Sequence, residues 1–551
     1  MDDEDAAKAS AQVVAALNDY CTTSISDLLS RHTAKGEAEG EPEPEHLQKK
    51  LLALFRAAAE LVPAFSDMLA EAGVSKDEIV TVSDIRKKVP LMDKEYLKKY
   101  SLPQRCIGGA ICVGDVDFCH VSSGSSGEPT FWARSALSEI AIAARFEQVL
   151  SDNFGATRKS ILAVNVFPLG SWVGGIFTTF CLRYCAMKGL KVVMVTPGNV
   201  PPEILRCIRH LAPMFDRTCI LGYPPFVKGL VDAGRVGGLE WGSLDVCMVL
   251  AGEVFSEEWR TLVAERAGIH EPLRDVVSIY GTADAGVLGN ETWLSASIRR
   301  FLSERPEIAK ELFDKERLPS LLQYDPHVRY IEVTTGKTLV ITNLDSLHPA
   351  CPSSNSSSSS SSDAAPRAGH ISSDGTLLRG PPPLVRYHIH DRGGTMSYQQ
   401  LLEFVTSRGF QMPAHVRDEH VPRVLPFVWV FGREHWAVSL YGANVFVDQV
   451  MVALELPPLS ERVTGKFILD TQHDADSNPR LLLDVECAPL QSPDDTALAQ
   501  DIQQSVTHQI LRVNSEFAHY VPENSQAPVV VLQAYGAPAL FPLGVKHKWT
   551  R

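Results

Sequence analysis

Residues Val121–Trp132 read V-S-S-G-S-S-G-E-P-T-F-W, and positions 122–127 hold four serines and two glycines. Glycine permits tight or positive-φ backbone, and serine hydroxyls add donors beside exposed backbone N–H groups. Such a loop can wrap a phosphate, and it can equally be a flexible surface turn. A helix is predicted beyond Pro129, over residues 137–150. The rest of the chain decides between the two interpretations of the loop.

The composition is that of an ordinary globular protein. The chain has 551 residues, 45% of them hydrophobic and 21% charged, so about two to four domains are expected. A net charge of −14 argues against nucleic acid and anionic membranes as partners, because both need basic surface. ATP is not excluded by this charge, since a few donors in a local pocket suffice.

The sequence also indicates a cytoplasmic protein. No apolar run approaches the ~20 residues needed to span a bilayer. The first five residues, M-D-D-E-D, are acidic, whereas a targeting peptide would be basic. The 11 cysteines contain no C-x-x-C spacing, which fits reduced thiols better than a disulfide framework.

The hydrophobic patterns predict an α/β fold. Residues 1 to about 100 are mostly helical, and β-branched strands then alternate with helices over residues 160–280, which points to a parallel sheet. A β-rich part follows, in which residues 330–333 pair with residues 339–342. The last ~120 residues look like a small α+β domain with strands at 465–471 and 480–487 and a helix over 496–514.

Three local patterns near these elements do not make a convincing site. Lys337-Thr338 follows Gly336, but the Walker A motif needs a glycine where Ile331 stands. His388 and His390 have strand spacing and would share a face beside Asp391, so a metal site is possible, yet no further ligand cluster is evident. The cysteines at 106, 112 and 119, with the histidine at 120, fit no zinc spacing.

The motifs resemble, in their order, those of the adenylate-forming superfamily, and more narrowly the phenylacetate–CoA ligase branch. After the serine-glycine loop come A-G-E-V-F-S, I-Y-G-T-A-D-A-G, R-Y-H-I-H-D, F-G-R-E-H-W and a glycine-lysine near the C-terminus. The resemblance covers residues ~100 to 551. In that family a carboxylate attacks the α-phosphate of ATP to give an acyl-adenylate and pyrophosphate, and a thiol, usually that of coenzyme A, displaces AMP. Charge stabilisation and positioning are the protein's main tasks.

The resemblance implies roles for individual residues. The β- and γ-phosphates would be held by the serine-glycine loop, Ser122, Ser123, Gly124, Ser125, Ser126 and Gly127. Adenine would lie against Gly252 and Glu253, with Tyr280 stacked on it. The α-phosphate would lie near Gly281, Thr282 and Asp284, and the ribose would be bound by Asp391 with Arg433. Asp284 would also approach Mg²⁺. The catalytic lysine would be Lys546, with Lys548 as the alternative, and both could instead belong to a solvated basic cluster.

Substrate residues follow from the resemblance in the same way. A small carboxylic acid would lie among Trp172, Gly175 and Tyr223, in aromatic and glycine-rich segments that suit a flat or apolar acid. Ordinary packing explains these segments nearly as well. No arginine can be assigned to the substrate carboxylate.

This chain departs from the family pattern in three ways. Ala283 and Asp284 stand where the family usually has a hydroxyl residue and glutamate, so a water-bridged Mg²⁺ contact is expected. His435 and Trp436 stand where a pair of aspartates, one of them the hinge, is common. The serine-rich loop at 353–366, expected to be disordered, is foreign to the compact family pattern.

These observations predict a ligase of defined domain plan. Residues 1–100 would form a helical segment packed on the large domain, residues 101–431 would bind ATP and the acid, and residues 432–551 would form a small mobile α+β domain. The expected reaction is ATP- and Mg²⁺-dependent acyl-CoA formation, in a monomer or homodimer. Two alternatives stay open: another acceptor (an amine, a hydroxyl or a protein thiol), or a nucleotide-binding homologue with weakened catalysis.

Overall fold

The computed structural model of the chain describes residues 3–30, 44–111, 116–122, 130–170, 173–252, 254–315, 318–346, 379–413, 423–433, 437–440, 443–473, 479–514, 517–518, 521–543 and 547–550. The serine-rich segment 353–366, predicted to be disordered, lies outside them. Among the described residues no helix is both long enough and apolar enough to cross a membrane.

Helices and strands alternate along most of the chain. The helices span Asp3–Thr22 (α1), Ile25–Ser30 (α2), Glu45–Leu61 (α3), Pro63–Glu71 (α4), Val82–Lys88 (α5), Lys94–Leu97 (α6), Leu102–Arg105 (α7), Ala136–Gln148 (α8), Val173–Met187 (α9), Pro201–Leu211 (α10), Pro224–Val236 (α11), Glu257–Arg266 (α12), Pro272–Asp275 (α13), Trp293–Ser303 (α14), Pro306–Phe313 (α15), Tyr398–Thr406 (α16), Val447–Glu455 (α17), Leu459–Arg462 (α18), Thr496–Val513 (α19) and Glu523–Gln526 (α20). The strands span Phe118–Ser122 (β1), Thr130–Arg134 (β2), Ile161–Asn165 (β3), Val192–Val195 (β4), Arg217–Gly222 (β5), Val246–Ala251 (β6), Val276–Thr282 (β7), Gly286–Asn290 (β8), Ser320–Gln323 (β9), Arg329–Val333 (β10), Thr338–Asn343 (β11), Tyr387–Met396 (β12), Phe427–Arg433 (β13), Ala437–Leu440 (β14), Ala443–Phe446 (β15), Val463–His473 (β16), Pro479–Cys487 (β17) and Val529–Gln533 (β18).

One sheet dominates the fold. Among the described residues it has eleven strands in the order β10-β11-β12-β13-β9-β8-β7-β6-β5-β3-β4. The strands from β4 to β7 are parallel, and the pairs from β7 to β10 are antiparallel. The predicted α/β fold with parallel strands is therefore confirmed. The predicted β-rich part is the antiparallel half of this same sheet.

The parallel strands β3, β5 and β6 lie in the interior because their sequences are largely apolar on both faces. Every residue of β3 and β5 is buried, as expected where helices cover both sides of a parallel sheet. The predicted pairing near residue 336 is also confirmed, since Ile331 of β10 lies opposite Ile341 of β11. Short runs rich in β-branched residues between helices were sufficient to identify the parallel strands.

The strands β1 and β2 form an antiparallel hairpin, and the serine-glycine run connects them. Ser122 lies opposite Thr130, so residues 123–129 join the two strands. The sequence indicated no strand between Pro129 and the predicted helix, and β2 corrects this. Trp132 is buried and Phe131 is exposed, which is the alternation of a half-covered strand. The predicted helix over 137–150 is confirmed as α8.

The N-terminal helices share a core with the antiparallel half of the large sheet. Phe55 of α3 and Phe65 of α4 are buried in the same cluster as Leu339 and Ile341 of β11. The amphipathic pattern of α3 therefore finds its apolar partner in a strand almost 300 residues later in the chain. The predicted domain boundaries at residues 100 and 431 remain predictions.

The C-terminal residues have an apolar core of their own. Strands β16, β17 and β18 form a three-stranded sheet, and α17 and α19 contribute to the cluster beside it. This cluster contacts α11 through Lys228, whose Nζ donates to the backbone oxygen of Val463 at 2.6 Å. Burial lowers the pKa of Lys228 to about 8.

The end of the chain is anchored on β16 by His547, and this predicts a pH dependence of stability. Its Nε2 donates to the backbone oxygen of Phe467 at 2.6 Å, and burial lowers the pKa of His547 from 6.5 to about 4. Between pH 6.5 and pH 4 His547 is therefore protonated in the unfolded chain but neutral in the folded chain. The free energy of unfolding falls as pH drops through this range. The contribution is at most on the order of 3 kcal/mol.

Urea unfolding between pH 7 and pH 4.5 measures this effect. His547→Gln keeps a side-chain N–H donor but does not titrate, so its free energy of unfolding should depend less steeply on pH than that of the wild type. Equal slopes for the two proteins would contradict a buried neutral imidazole.

Candidate active site

Two sequence motifs meet through a crossed pair of tyrosine–aspartate hydrogen bonds. The Tyr280 hydroxyl donates to Asp391 Oδ2 at 2.6 Å, and the Tyr387 hydroxyl donates to Asp284 Oδ2 at 2.6 Å. The first motif ends β7 and turns into β8, and the second begins β12. Because each motif supplies one donor and one acceptor, the two aspartates are fixed relative to each other.

The hairpin that carries the serine-glycine run reaches the same place. Arg134, the last residue of β2, donates from Nη2 to the backbone oxygens of Ala283 and Asp284, each at 2.7 Å. Its side chain is buried, and burial together with the nearby Arg329 lowers the pKa of Arg134 to about 10. The guanidinium therefore stays charged at neutral pH and fixes the turn that carries Asp284.

The turn itself is closed by short polar contacts. Thr282 Oγ1 accepts a hydrogen bond from the backbone N–H of Ala285 at 3.0 Å, and Asn343 Nδ2 donates to the backbone oxygen of Ala285 at 3.2 Å. Asp284 and Asp391 are each 7% exposed. Both carboxylates are thus held in a largely dry environment, where charge interactions are stronger than in water.

Asp391 also lies opposite Arg433 in the antiparallel pair of β12 and β13. The resemblance assigned both residues to the ribose, and directly opposed residues in such a ladder have side chains close together. The side chain of Arg433 lies outside the described part of the chain, so this pairing is one of backbone register.

Gly252, predicted to lie against adenine, follows β6 and has a φ of +92°. A Cβ at this position would stand 2.5 Å from Cε1 of Tyr223. The ring of Tyr223 in turn packs edge-on against Phe167, with centroids 5.1 Å apart. The predicted adenine motif and the predicted acyl pocket therefore meet at Tyr223.

Gly175 has a different reason to be glycine. A Cβ there would lie 2.2 Å from the backbone oxygen of Pro168, so the first turn of α9 packs directly on the segment that precedes it. The backbone oxygen of Gly175 accepts from Asn165 Nδ2 at 2.7 Å, which ties α9 to the end of β3. The glycine-rich segment is thus a close-packed junction at the edge of the predicted pocket.

A Gly252→Ala variant should bind ATP at least about tenfold more weakly and lose on the order of 1–3 kcal/mol of stability, since it combines backbone strain with a clash against Tyr223. Gly238→Ala is the matched control, because Gly238 has a φ of +74° and open space around its Cβ position. Urea unfolding and the KM for ATP measure the two effects. A KM raised equally in both variants would contradict a specific contact between Gly252 and Tyr223.

Several predicted site residues are not placed by the structure. Outside its described part lie Ser123, Gly124, Ser125, Ser126, Gly127, Trp172, Glu253, His435, Trp436 and Lys546, and the side chain of Ser122. Lys548 is described and exposed. Their roles remain predictions.

The two histidines of β12 lie on one face, as strand spacing predicted. The ring centroids of His388 and His390 are 4.0 Å apart. His388 Nε2 lies 2.8 Å from Thr338 Oγ1, and His390 Nε2 lies 3.3 Å from Asp93 Oδ2. In the described ranges no group of three or more histidine, cysteine, aspartate or glutamate residues could hold a metal ion.

Two positioning residues escaped the sequence reasoning. Tyr387 lay inside the R-Y-H-I-H-D motif, but only its aspartate was assigned a role. Arg134 lay twelve positions after Ser122, at the end of a strand that the sequence had not indicated. A strand pattern in T-F-W-A-R would have placed Arg134 beside Trp132 and Thr130 at alternating positions.

Comparison with known proteins identifies the fold. No protein-family model and no curated protein sequence matches this chain. Among solved structures, 2-hydroxyisobutyryl-CoA ligase in the postadenylation state with R3-HIB-AMP matches with a TM-score of 0.62 at 15% identity, over 93% of this chain and 90% of that one. The same ligase with 2-HIB-AMP matches with a TM-score of 0.59 at 16% identity, over 93% and 90%. This chain has the fold of that ligase.

Proposed function

We propose that the chain activates a carboxylic acid with ATP as an acyl-adenylate and then transfers the acyl group to the thiol of coenzyme A. The observation that carries the proposal is the crossed pair Tyr280–Asp391 and Tyr387–Asp284, each with a 2.6 Å hydrogen bond. It joins two motifs that the sequence had assigned to ribose and α-phosphate. Likeness of fold to a ligase that binds an acyl-adenylate supports the same conclusion.

The residues of the site have distinct tasks in this proposal. Asp391 takes the ribose hydroxyls, because a carboxylate accepts from two donors. Tyr280 offers its ring to adenine while its hydroxyl stays on Asp391. The serine-glycine loop supplies backbone N–H groups and hydroxyls to the outer phosphates. Lys546 carries a positive charge to the α-phosphate as negative charge develops there.

Asp284 fits an indirect role towards Mg²⁺. Its Oδ2 already accepts from Tyr387, its side chain is largely buried, and Arg134 fixes its backbone. Mg²⁺ commonly keeps several waters and uses only one or two carboxylates beside the phosphates. A water-bridged contact with Asp284 therefore suits this geometry, and the ion would neutralise phosphate charge there.

The finer assignments follow the same reasoning. The phenylacetate–CoA ligase branch is supported by the motif order, and a cytoplasmic setting by the spacing of the cysteines, which fits reduced thiols. Coenzyme A as acceptor is supported by the likeness of fold to a CoA ligase. The small C-terminal domain, residues 432–551, would rotate to build the acceptor site.

Acid-dependent exchange of pyrophosphate into ATP, measured over a panel of aryl and aliphatic acids, tests the first half-reaction. AMP release and thioester formation with and without coenzyme A test the second. Exchange with at least one acid and AMP release that rises with coenzyme A are expected. AMP release that ignores coenzyme A would favour an amine, hydroxyl or protein-thiol acceptor.

A nucleotide-binding homologue with weakened catalysis is the second candidate. Ala283 stands where the family usually has a hydroxyl residue, and His435 and Trp436 stand where it commonly has a pair of aspartates, one of them the hinge. ATP binding without exchange for any acid would favour this candidate over the ligase.

A further inference from the structure

His120 and Glu139 are buried side by side, and three of their side-chain polar atoms have no hydrogen-bond partner among the described residues. His120 of β1 is 0% exposed and Glu139 of α8 is 4% exposed. His120 Nε2 and Glu139 Oε1 are 3.8 Å apart, too far for a hydrogen bond. In the described part of the chain, Nδ1 and Nε2 of His120 and Oε1 of Glu139 have no hydrogen-bond partner.

Buried polar atoms without hydrogen bonds are costly. Each buried polar group without a partner costs about 1–3 kcal/mol, and the large majority of buried side-chain polar atoms in proteins have a hydrogen-bond partner. The surroundings could have accepted apolar side chains, since the His120 ring lies 4.7 Å from the ring of Phe118 and 6.2 Å from that of Phe177. A bound polar group can supply the hydrogen bonds that the described residues do not give to these two side chains.

The pair lies one helical turn beyond the predicted acyl pocket. Gly174 at the start of α9 packs against the ring of Phe167, at 3.5 Å from its Cβ position, and Phe167 packs on Tyr223. Phe177 is one turn further along α9, and its ring centroid lies 6.2 Å from that of His120. Phe167 and Phe177 belong to the same apolar cluster, with Tyr223 packed against it.

We propose that His120 and Glu139 form a hydroxyl-binding subsite at the far end of the acyl pocket. This inference rests on the proposed ligase function. One hydroxyl donates to Glu139 Oε1 and accepts from the protonated ring nitrogen of His120, so a single neutral group gives each of the two side chains a hydrogen bond. The acid is therefore one whose hydroxyl lies distal to the carboxylate.

A hydroxyl is favoured over an ammonium group or a bare hydrocarbon. An ammonium group can donate to Glu139, but it has no lone pair to accept from the ring N–H of His120, which would stay without a partner. A hydrocarbon would leave the three polar atoms unpaired, and sites built to bind a hydroxyl reject analogues without it by about 10⁴–10⁵-fold. A simple apolar pocket discriminates only about 10²-fold.

Matched pairs of acids test the subsite. Each pair carries a hydroxyl or a methyl at the same position, as in 4-hydroxyphenylacetic and 4-methylphenylacetic acid, their 3-substituted isomers, and 6-hydroxyhexanoic and heptanoic acid. Pyrophosphate exchange gives kcat/KM for each. We expect at least one pair to favour the hydroxyl member by about 100-fold or more. Equal values in every pair would overturn the subsite and leave the ligase intact, whereas no exchange with any acid contradicts the ligase itself.

Variants locate the preference. The double variant His120→Leu, Glu139→Leu should favour the methyl member and melt at an equal or higher temperature, because orphaned polar atoms are replaced by apolar ones. Glu139→Gln should lose part of the preference. Glu147→Gln is its matched control on the same helix, since the buried Glu147 carboxylate is satisfied by Lys188 Nζ at 2.8 Å. A hydroxyl preference that survives the double variant would place the subsite elsewhere.

Discussion

An Asp284→Asn variant should keep its fold and lose about 10²–10³-fold in acid-dependent pyrophosphate exchange. The amide has the shape of the carboxylate, so its oxygen can still accept from Tyr387, which now donates to Asp284 Oδ2 at 2.6 Å. The backbone of the turn stays fixed by Arg134. The variant loses the negative charge that would hold Mg²⁺ and its waters against the α-phosphate. The rate of the adenylation step should therefore fall.

Two further variants separate this effect from a loss of stability. Tyr387→Phe retains the charge of Asp284 but removes the donor that orients it, so a smaller loss in exchange is expected. Asp275→Asn removes a buried carboxylate that pairs with Arg217 Nη2 at 2.9 Å, remote from the crossed pair. It should lower the melting temperature without lowering exchange. A full rate in Asp284→Asn at saturating Mg²⁺ would assign the metal to another residue.

The sequence was sufficient for the elements whose apolar patterns are local. Strand β3 is apolar up to Val164 and strand β5 from Cys219 onwards, and such runs between helices predict a parallel sheet. The motif order also brought Tyr280, Asp284 and Asp391 to attention as parts of one site. The hydrogen-bond partners of these residues were not predictable, because each is more than a hundred residues away in the chain.

The features that the sequence did not predict also depend on contacts between distant parts of the chain. Strand β2 was overlooked because T-F-W-A-R is too short to show a period by itself, and only pairing with β1 gives it strand form. Arg134 was overlooked with it, although a buried arginine needs partners and therefore marks a junction. His120 was noted only as part of a failed zinc spacing. Its burial beside Glu139 depends on the tertiary packing of β1 against α8, which residue spacing does not predict.

A Lys546→Ala variant should lose acid-dependent pyrophosphate exchange by about 10²–10³-fold and still bind ATP with an affinity within several-fold of the wild type. The proposal gives Lys546 a charge that acts on the α-phosphate during adenylation, which is a transition-state interaction rather than a ground-state one. The residues that follow it are firmly held: the Leu469 backbone N–H donates to the oxygen of Trp549 at 2.7 Å. Alanine at 546 should therefore leave the C-terminal core intact.

Lys548→Ala decides between the two lysines. It removes the same charge as Lys546→Ala, but two positions later in the chain, where the lysine side chain is exposed. Exchange in Lys548→Ala should stay within about twofold of the wild type, since a solvated surface lysine contributes little beyond a screened charge. Loss of exchange in Lys548→Ala alone would transfer the role to that residue. Full exchange in both variants, and in the double variant, would mean that the cation on the α-phosphate comes from another part of the chain. Transfer from a preformed acyl-adenylate to coenzyme A should be unaffected in Lys546→Ala. In that intermediate the bond between the α-phosphate and the acid has already formed, so the adenylation step that needs Lys546 is complete.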